Sequence, residues 1–559
     1  MSLMGSLYLG VSGLQTSHNA LNTTAHNMSN LDTVGYTRQQ VAQATRTYVT
    51  IDKSNPVSWQ QLGLGVSYSQ TRQVRDYFLD RNYRRESGRS AFYGVSYSAM
   101  EEIEDIIGES YEGHAFSVAV TDLWTAVEEL SKDPTAAVNQ NLFVTRSYEF
   151  ITKASAVYNS LCEYQDNLNK TVIQDVDKIN QYAQQIEDLN RQIARIEGGF
   201  EHANDLRDRR NYLLDQLSSM ASISYNEDIT GYVSVQLEGV DLVKGGLVNE
   251  MLLYTDPKTG FYTPYWKMLA NYSYDEYGKQ YLSEESLESA RVFDLTRTIS
   301  SDLNTDIGSL KSTLLARGDH RATAQEIKDV NPDGEYEQGW YDKHISQSII
   351  MNIQAEFDQL INAVVTKING ILAEAAENES KLYPNSTYLR DENGNPYQLF
   401  QKIIDDGSTY TLPDGTVVDA GWSVDNITIN MDLRQNPSLL NFRLTDSSED
   451  NATMEKLKNA FQETVYKLNP NVQTPVCFVD YYKNLVSQVA NSGSVFGDIM
   501  NSQTLTTDSL CNAREQIVGV SSDEELTNMI MFQNAYNASS RYINVISEML
   551  EHILTTLGR

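Results

Sequence analysis

The chain has 559 residues, too many for one hydrophobic core, so two to four domains are expected. Its 43 Lys and Arg stand against 75 Asp and Glu, a formal charge of −32, and no basic run offsets the excess locally. That balance repels phosphate backbones and anionic lipid surfaces, which argues against nucleic-acid and membrane-surface partners.

No run of about 18 apolar residues is present, so no segment is expected to cross a membrane as a helix. The opening Met1-Ser2-Leu3-Met4-Gly5 lacks the basic region of a secretory signal. A cytoplasmic chain, or one exported by a route needing no cleaved signal, would read this way. Cys162, Cys477 and Cys511 are odd in number and widely spaced, which excludes a disulfide framework and a Cys-rich metal site. They read as small packing residues.

In chain order, residues 3–30 place Met4, Leu7, Val11, Leu14, His18, Leu21, Ala25 and Met28 at alternating steps of three and four, an apolar stripe along one helix. Turn formers follow at Asn30–Tyr36, where Gly35 suits a left-handed position. Residues 36–72 read as extended segments and loops, then helices from about Gln73 to Ile107 and Ser117 to Leu130. Asp133-Pro134 opens another helix, and heptad-like spacing from Val157 to Ile196 predicts a long helix packed in a bundle or coiled coil. Gly198-Gly199 breaks it and Asn204–Met220 returns.

At Ser222 the period changes to two. Ile223–Tyr225 and Tyr232–Leu237, separated by Asp228–Gly231, predict a hairpin. Turn signals recur at Asp256–Gly260 and Pro332–Gly334. Helix is expected again from about Ile345 to Asn378, strands and turns over 380–445, and helix from Thr453 onward with breaks near Pro470–Pro475, Gly493 and Gly519. Ser522–Glu525 has the capping-box spacing that would start the last helix. That helix carries Phe532, Ala535, Tyr536, Tyr542, Ile543, Ile546, Met549 and Ile553 on one face. Each terminal helix would be roughly 40–50 Å long at ~1.5 Å per residue. Each needs a partner, the nearest being the other, as in a stacked filament subunit.

The fold class expected is therefore α+β and multidomain, with paired terminal helices and a long helical bundle enclosing β-rich inserted segments. The domain reading is 1–70 with 506–559 as a terminal coiled-coil domain, 71–225 with 341–379 and 446–505 as a helical bundle, and 226–340 with 380–445 as a β-rich outer insert.

Chemistry is sparse. The seven histidines have no metal-ligand spacing, and no phosphate loop or nucleophile elbow is present. Asp391–Pro396 begins like a calcium loop but puts Pro396 where glycine is required and Lys402 where a bidentate Glu is needed, so it reads as a turn. Paired carboxylates such as Glu101-Glu102 and Glu128-Glu129 read as solvated helix faces. The tyrosines of the insert (Tyr262, Tyr265, Tyr272, Tyr274, Tyr277, Tyr281) read as strand packing. No catalytic, cofactor-binding or metal-binding residue is expected, and no cofactor.

Ser12-Gly13-Leu14, Ala20-Leu21-Asn22, Asn27-Met28-Ser29-Asn30 and Thr33-Val34-Gly35-Tyr36-Thr37-Arg38 resemble the N-terminal signature of the axial family of bacterial flagellar proteins. Leu64-Gly65-Val66 with Val74–Leu79, then Asn204–Arg210 with Leu213–Ser218, then Gly519–Leu526 with Phe532–Tyr536 and Ser547–Leu550, narrow the resemblance to the hook-associated proteins at the hook–filament junction. It covers roughly residues 1–225 and 455–559 and the helix at 345–378; residues 240–340 and 380–445 match no pattern.

The resemblance implies a non-enzymatic structural subunit of the flagellum, exported through the flagellar type III apparatus and needed for filament assembly. Implied partners are further copies of itself, hook protein, a second hook-associated junction protein and an export chaperone; the implied location is extracellular. The implied assembly surface is Met4, Leu7, Val11, Leu14, Leu21, Ala25 and Met28 on the first helix. On the last, Phe532, Ala535, Tyr542, Ile546, Met549 and Ile553 would face neighbouring subunits or the chaperone. Amphipathic helices without partners lack most of their stabilisation, so residues 1 to about 60 and 520–559 are expected to fold only on assembly. Competing readings are a hook or distal-rod subunit, a secreted enzyme or adhesin acting through the β-rich insert, and a cytoplasmic coiled-coil scaffold.

Overall fold

The computed structural model describes residues 3–52, 60–108, 116–199, 201–274, 277, 280–404, 407, 409–411, 417–419 and 421–557. In order these form α1 (Leu3–Ser29), β1 (Gln39–Thr45), β2 (Val49–Asp52), β3 (Gln60–Leu62), β4 (Val66–Gln73), α2 (Tyr77–Ile107), α3 (Phe116–Lys132), α4 (Ala137–Glu197) and α5 (Asn204–Met220). Then come β5 (Ile223–Glu227), β6 (Val233–Leu237), β7 (Val240–Lys244), β8 (Leu247–Val248), β9 (Met251–Thr255), β10 (Tyr262–Trp266), β11 (Tyr272–Tyr274), β12 (Gln280–Leu282), α6 (Glu284–Ala290) and α7 (Ser309–Arg317). The remainder is α8 (Ile349–Leu382), β13 (Phe400–Lys402), β14 (Thr409–Thr411), β15 (Val417–Asp419), β16 (Ile427–Ile429), α9 (Met431–Gln435), α10 (Asn451–Gln462), α11 (Phe478–Val518) and α12 (Ser522–Leu557). Long helices with small antiparallel sheets make this the α+β architecture expected.

The chain divides into two compact units. The first is Met1–Gly88, Lys178–Glu250 and Gln503–Arg559; the second is Arg89–Asp177 and Met251–Ser502. In the first, β5, β6, β7 and β8 form a four-stranded antiparallel sheet, and β1 pairs with β4. Asp228 makes the predicted hairpin: its Oδ1 accepts from Thr230 N at 2.8 Å and Tyr232 N at 3.0 Å, and Gly231 takes φ +79°. Asn190 of α4 meets this sheet, donating to Val233 O and accepting from Val233 N. Apolar positions Ile186, Leu189, Ile193, Leu213, Leu214 and Leu217 are buried as their spacing predicts.

In the second unit the core gathers around α8, whose Phe357, Leu360, Ile361, Val364, Val365 and Ile368 are fully buried beside residues of α3, α10 and the first turn of α11. Among the described residues of this unit three loops share one pattern. In 331–335, 391–395 and 444–448 the first amide donates to the fifth carbonyl and the fourth amide to the first. The fourth residue (Gly334, Gly394, Ser447) has positive φ in each. Asp391 is thus a turn former, accepting from Asn393 N and Asn395 N at 2.9 and 2.7 Å.

Three local expectations are corrected. α11 runs unbroken through Gly493, whose missing side chain faces Met100 Cβ; one helical glycine costs only about 1 kcal/mol, which packing offsets. The cap of α12 is Ser521, one residue earlier than read, with Glu524 N donating to its hydroxyl at 3.5 Å. Helix α7 went unforeseen because Leu310 to Arg317 are all buried, leaving no polar–apolar period to read.

Candidate assembly surface and its polar clasp

α1 lies along α12, so the two terminal helices do partner each other. They meet through small residues. A Cβ on Gly10 would stand 2.7 Å from Ile543 Cγ1 and 3.1 Å from Tyr542 Cδ1, and one on Gly13 would stand 2.8 Å from Ser539 Oγ. The buried positions of α1 are Gly10, Ser12, Thr16, Ser17, Ala20, Thr24 and Asn27, each one or two residues off the apolar stripe. Close helix approach needs small side chains, and Gly10 and Gly13 supply them on α1, opposite Ile543 and Ser539 of α12, whereas Ser12 and Asn27 face β4 and β1.

The stripe itself is left largely open. Leu7, Leu14, Leu21 and Met28 are half-buried, Val11 and Ala25 exposed, and Met4 lies outside the residues whose side chains are described. On α12, Ile546 is buried and Phe532 half-buried, whereas Ala535, Tyr542, Met549 and Ile553 are exposed. Leu526, Ile530, Met531, Val545 and Leu554 add further exposed apolar surface, which the spacing argument had not singled out. An apolar strip of this extent makes the two helices a candidate interaction surface.

The base of the pair is locked by a polar network. Asn27 of α1 brackets Gln39, accepting from its amide at 3.0 Å and donating to its carbonyl at 2.8 Å; its Oδ1 also accepts from Tyr36 OH at 2.8 Å. The turn between is held by Gly35 at φ +80°, against Tyr212. Thr37 N donates to Asp208 Oδ2 at 3.0 Å, and Gln39 Nε2 to Asp205 Oδ1 at 2.8 Å. Gln73 Nε2, at the end of β4, donates to Asp208 Oδ1 at 2.6 Å. The N-terminal turn is therefore docked on the first turn of α5. Burial pushes Asp208 up to about 6, with the Thr37 bonds and Arg75 opposing the rise.

A second tier binds helices to helices. Asp76 caps α2, accepting from Phe78 N at 2.8 Å. Arg514 of α11 bridges Asp80 of α2 at 2.9 Å and Asp215 of α5 at 2.8 Å; Asp215 also takes Arg84 Nε at 2.6 Å. Arg75 pairs with Asp80 at 2.9 Å. Arg38 closes the set: its amide donates to Val518 O at 2.8 Å, and its guanidinium meets Glu524 at 2.6 Å and the buried Glu525 at 3.4 Å. On α5, Arg207 holds Glu197 and Glu227, each at 2.6 Å. Asn27, Thr37, Arg38, Arg75, Asp205, Asp208, Asp215, Glu524 and Glu525, drawn from the stretches quoted as a signature, thus come together in this network. Arg84 and Arg514 were missed; no sequence spacing links them to Asp215.

Among the described residues no group of His, Cys, Asp and Glu could hold a metal ion, and no helix is long and apolar enough to cross a membrane.

Terminal helices paired and clasped to a helical body define the class of bacterial flagellar axial proteins, and sequence comparison agrees at both ends. Residues 7–37 match the family model of the flagella basal body rod protein, and residues 516–556 that of the flagellar basal body rod FlgEFG protein C-terminal. Residues 100–291 match the helical domain of flagellar hook-associated protein FlgK. Flagellar hook-associated protein 1 of Bacillus subtilis is 26% identical over 99% of both chains, and that of Escherichia coli 23% identical over 97% of this chain and 98% of its own. The solved flagellar hook junction protein FlgK of Burkholderia pseudomallei superposes on 79% of this chain and all of its own, with TM-score 0.53 at 12% identity, a likeness of fold. The chain is thus similar to flagellar hook-associated protein 1 along nearly its whole length. It is a structural component of the bacterial flagellum, acting at the hook–filament junction.

Proposed function

We propose that the chain forms a layer of identical subunits between hook and filament by laying the apolar strips of α1 and α12 against neighbouring copies. The single observation that carries this reading is that α1 meets α12 through Gly10 and Gly13, while both paired helices still leave large apolar side chains open to the outside. A head-to-tail contact of such strips generates a ring or helical layer. Leu7, Val11, Leu14, Leu21, Ala25 and Met28, with Phe532, Ala535, Tyr542, Met549 and Ile553, are the proposed contact residues. Met4 belongs with them by spacing alone, and Ile546 supports the strip from beneath.

The layer sits outside the cell, reached through the flagellar type III route, with hook protein on one side and a second hook-associated protein on the other. Before export a chaperone covers the α12 strip, because apolar surface of this extent would otherwise drive premature association. The parts of α1 and α12 beyond the clasp gain most of their helical stability only when neighbours supply apolar surface. Catalysis has no part in this role.

The test is deletion of the gene, followed by electron microscopy of the cell surface and assay of the medium for flagellin. Completed hooks without filaments, with flagellin lost to the medium, are expected. Absent hooks would place the subunit in rod or hook, and normal filaments would overturn the reading.

A further inference from the structure

The second unit encloses a cavity of about 560 Å³, within the range of small-ligand sites (~300–1,000 Å³). Its walls are the start of β10, the segment after α6, the end of α7, and a π-helical turn over Tyr341–Ile345 leading into α8. Single π-helical turns are frequent at functional sites.

Arg317, 1% exposed, is fixed in the wall by neutral groups, its guanidinium lying over the Phe261 ring at 5.0 Å from the centroid. Nε donates to Gly318 O at 2.8 Å, and Nη1 donates to Asn169 Oδ1 at 2.6 Å and Tyr262 O at 2.9 Å, which leaves Nη2 unbonded. Burial lowers its pKa only to about 10, so it is cationic at neutral pH. The carboxylates lining the cavity are committed elsewhere: Glu288 to Arg291 at 2.8 Å, Asp294 to Arg297 at 3.7 Å and Asp319 to His320 at 2.6 Å. Ser348, also in the wall and 4% exposed, has a hydroxyl with no partner. The backbone at Gly318 runs against that hydroxyl, which brings it next to Arg317 in the chain. Trp340 and His344 stack at 3.8 Å between ring centroids and add a flat aromatic wall.

A buried guanidinium without a carboxylate is costly, and a planar anion is its natural complement. We infer that this cavity binds a small organic carboxylate with a flat apolar body, its carboxyl group on Arg317 Nη2 and the Ser348 hydroxyl, and its body against Trp340 and His344. The site stands apart from the assembly role and needs no other copy of the chain.

Benzoate is the probe, with benzamide as its uncharged isostere, measured by ligand-detected saturation-transfer NMR on the full chain. Benzoate should bind at least about tenfold tighter than benzamide, the loss expected when one charge-assisted bond is removed. Ser348→Ala removes only an unbonded hydroxyl, so it should keep the native circular dichroism and weaken benzoate severalfold. Arg317→Met, if it folds, should bind both probes alike. Equal binding of the two probes, no binding of benzoate, or unchanged affinity in Ser348→Ala would each overturn the assignment.

Discussion

Arg38 and Glu524, 486 residues apart in sequence, form a 2.6 Å ion pair that ties the turn after the first helix to the first turn of the last. Glu524 is well exposed, so that pair contributes little alone; the neighbouring Glu525 is buried, and Arg38 is its partner. Arg38→Met is therefore expected to cost about 1–3 kcal/mol, chiefly by leaving Glu525 unpaired. Faster amide exchange at residues 36–45 and 518–530, with exchange in the second unit unchanged, would register it. Exchange unaltered throughout would mean the clasp does not hold.

Two helical glycines should respond in opposite ways to the same change. At Gly94 of α2 nothing stands within 4 Å of an added Cβ, so Gly94→Ala should stabilise by about 1 kcal/mol through helix propensity. At Gly10 the added methyl meets Ile543 at 2.7 Å, and Gly10→Ala should lose more by overpacking, about 1–3 kcal/mol, than it gains. Thermal unfolding of the two variants, with motility of cells carrying each, checks both signs.

Asp208 provides a pH signature. Its folded pKa, pushed up to about 6 by burial, lies above the unfolded value of about 4, so between these the native state binds more protons than the unfolded. Stability from this group therefore falls as pH rises from about 4 to about 6, and its charged form is a penalty at neutral pH. Asp208→Asn should remove that dependence and be neutral or stabilising by about 1–3 kcal/mol at pH 7, provided Thr37 N keeps its acceptor. Denaturant titrations at pH 4, 5, 6 and 7 on parent and variant give the difference directly.

His320 should change stability in the same direction over a more alkaline range, but here the charged form is the stabilising one. Burial pushes its pKa down, but the flanking Asp319 and Glu326 outweigh that and hold it at about 10. A raised His pKa contributes stability fully present below about 6.5 and lost as pH rises toward 10. His320→Gln should flatten the alkaline limb of the stability curve, and an unchanged limb would show that the triad carries no net charge coupling.

Charged substitutions separate the two uses of α12. Met549→Glu and Ile553→Glu change exposed positions, so the isolated chain should unfold as the parent does. Filament assembly should fail, and pull-down of the export chaperone should weaken. Retention of both would remove the strip from the proposed interface.

Much of the architecture is written locally. The heptad spacing of α4 and α8, the Asp228–Gly231 hairpin and the left-handed Gly35 each follow from residues within a turn or two of one another, where helix and strand periods act. The amphipathic stripes of α1 and α12 were legible for the same reason, and so was the pairing of the ends. What no local rule could supply is which face of α1 is covered. The stripe named the large apolar residues, but close approach to α12 falls at Gly10 and Gly13, while Leu7, Leu14 and Leu21 stay partly open. Nor does any spacing join Arg514 to Asp80 and Asp215, or leave Arg317 without a carboxylate; long-range packing chooses those neighbours, and the charge balance of a buried group depends on them alone.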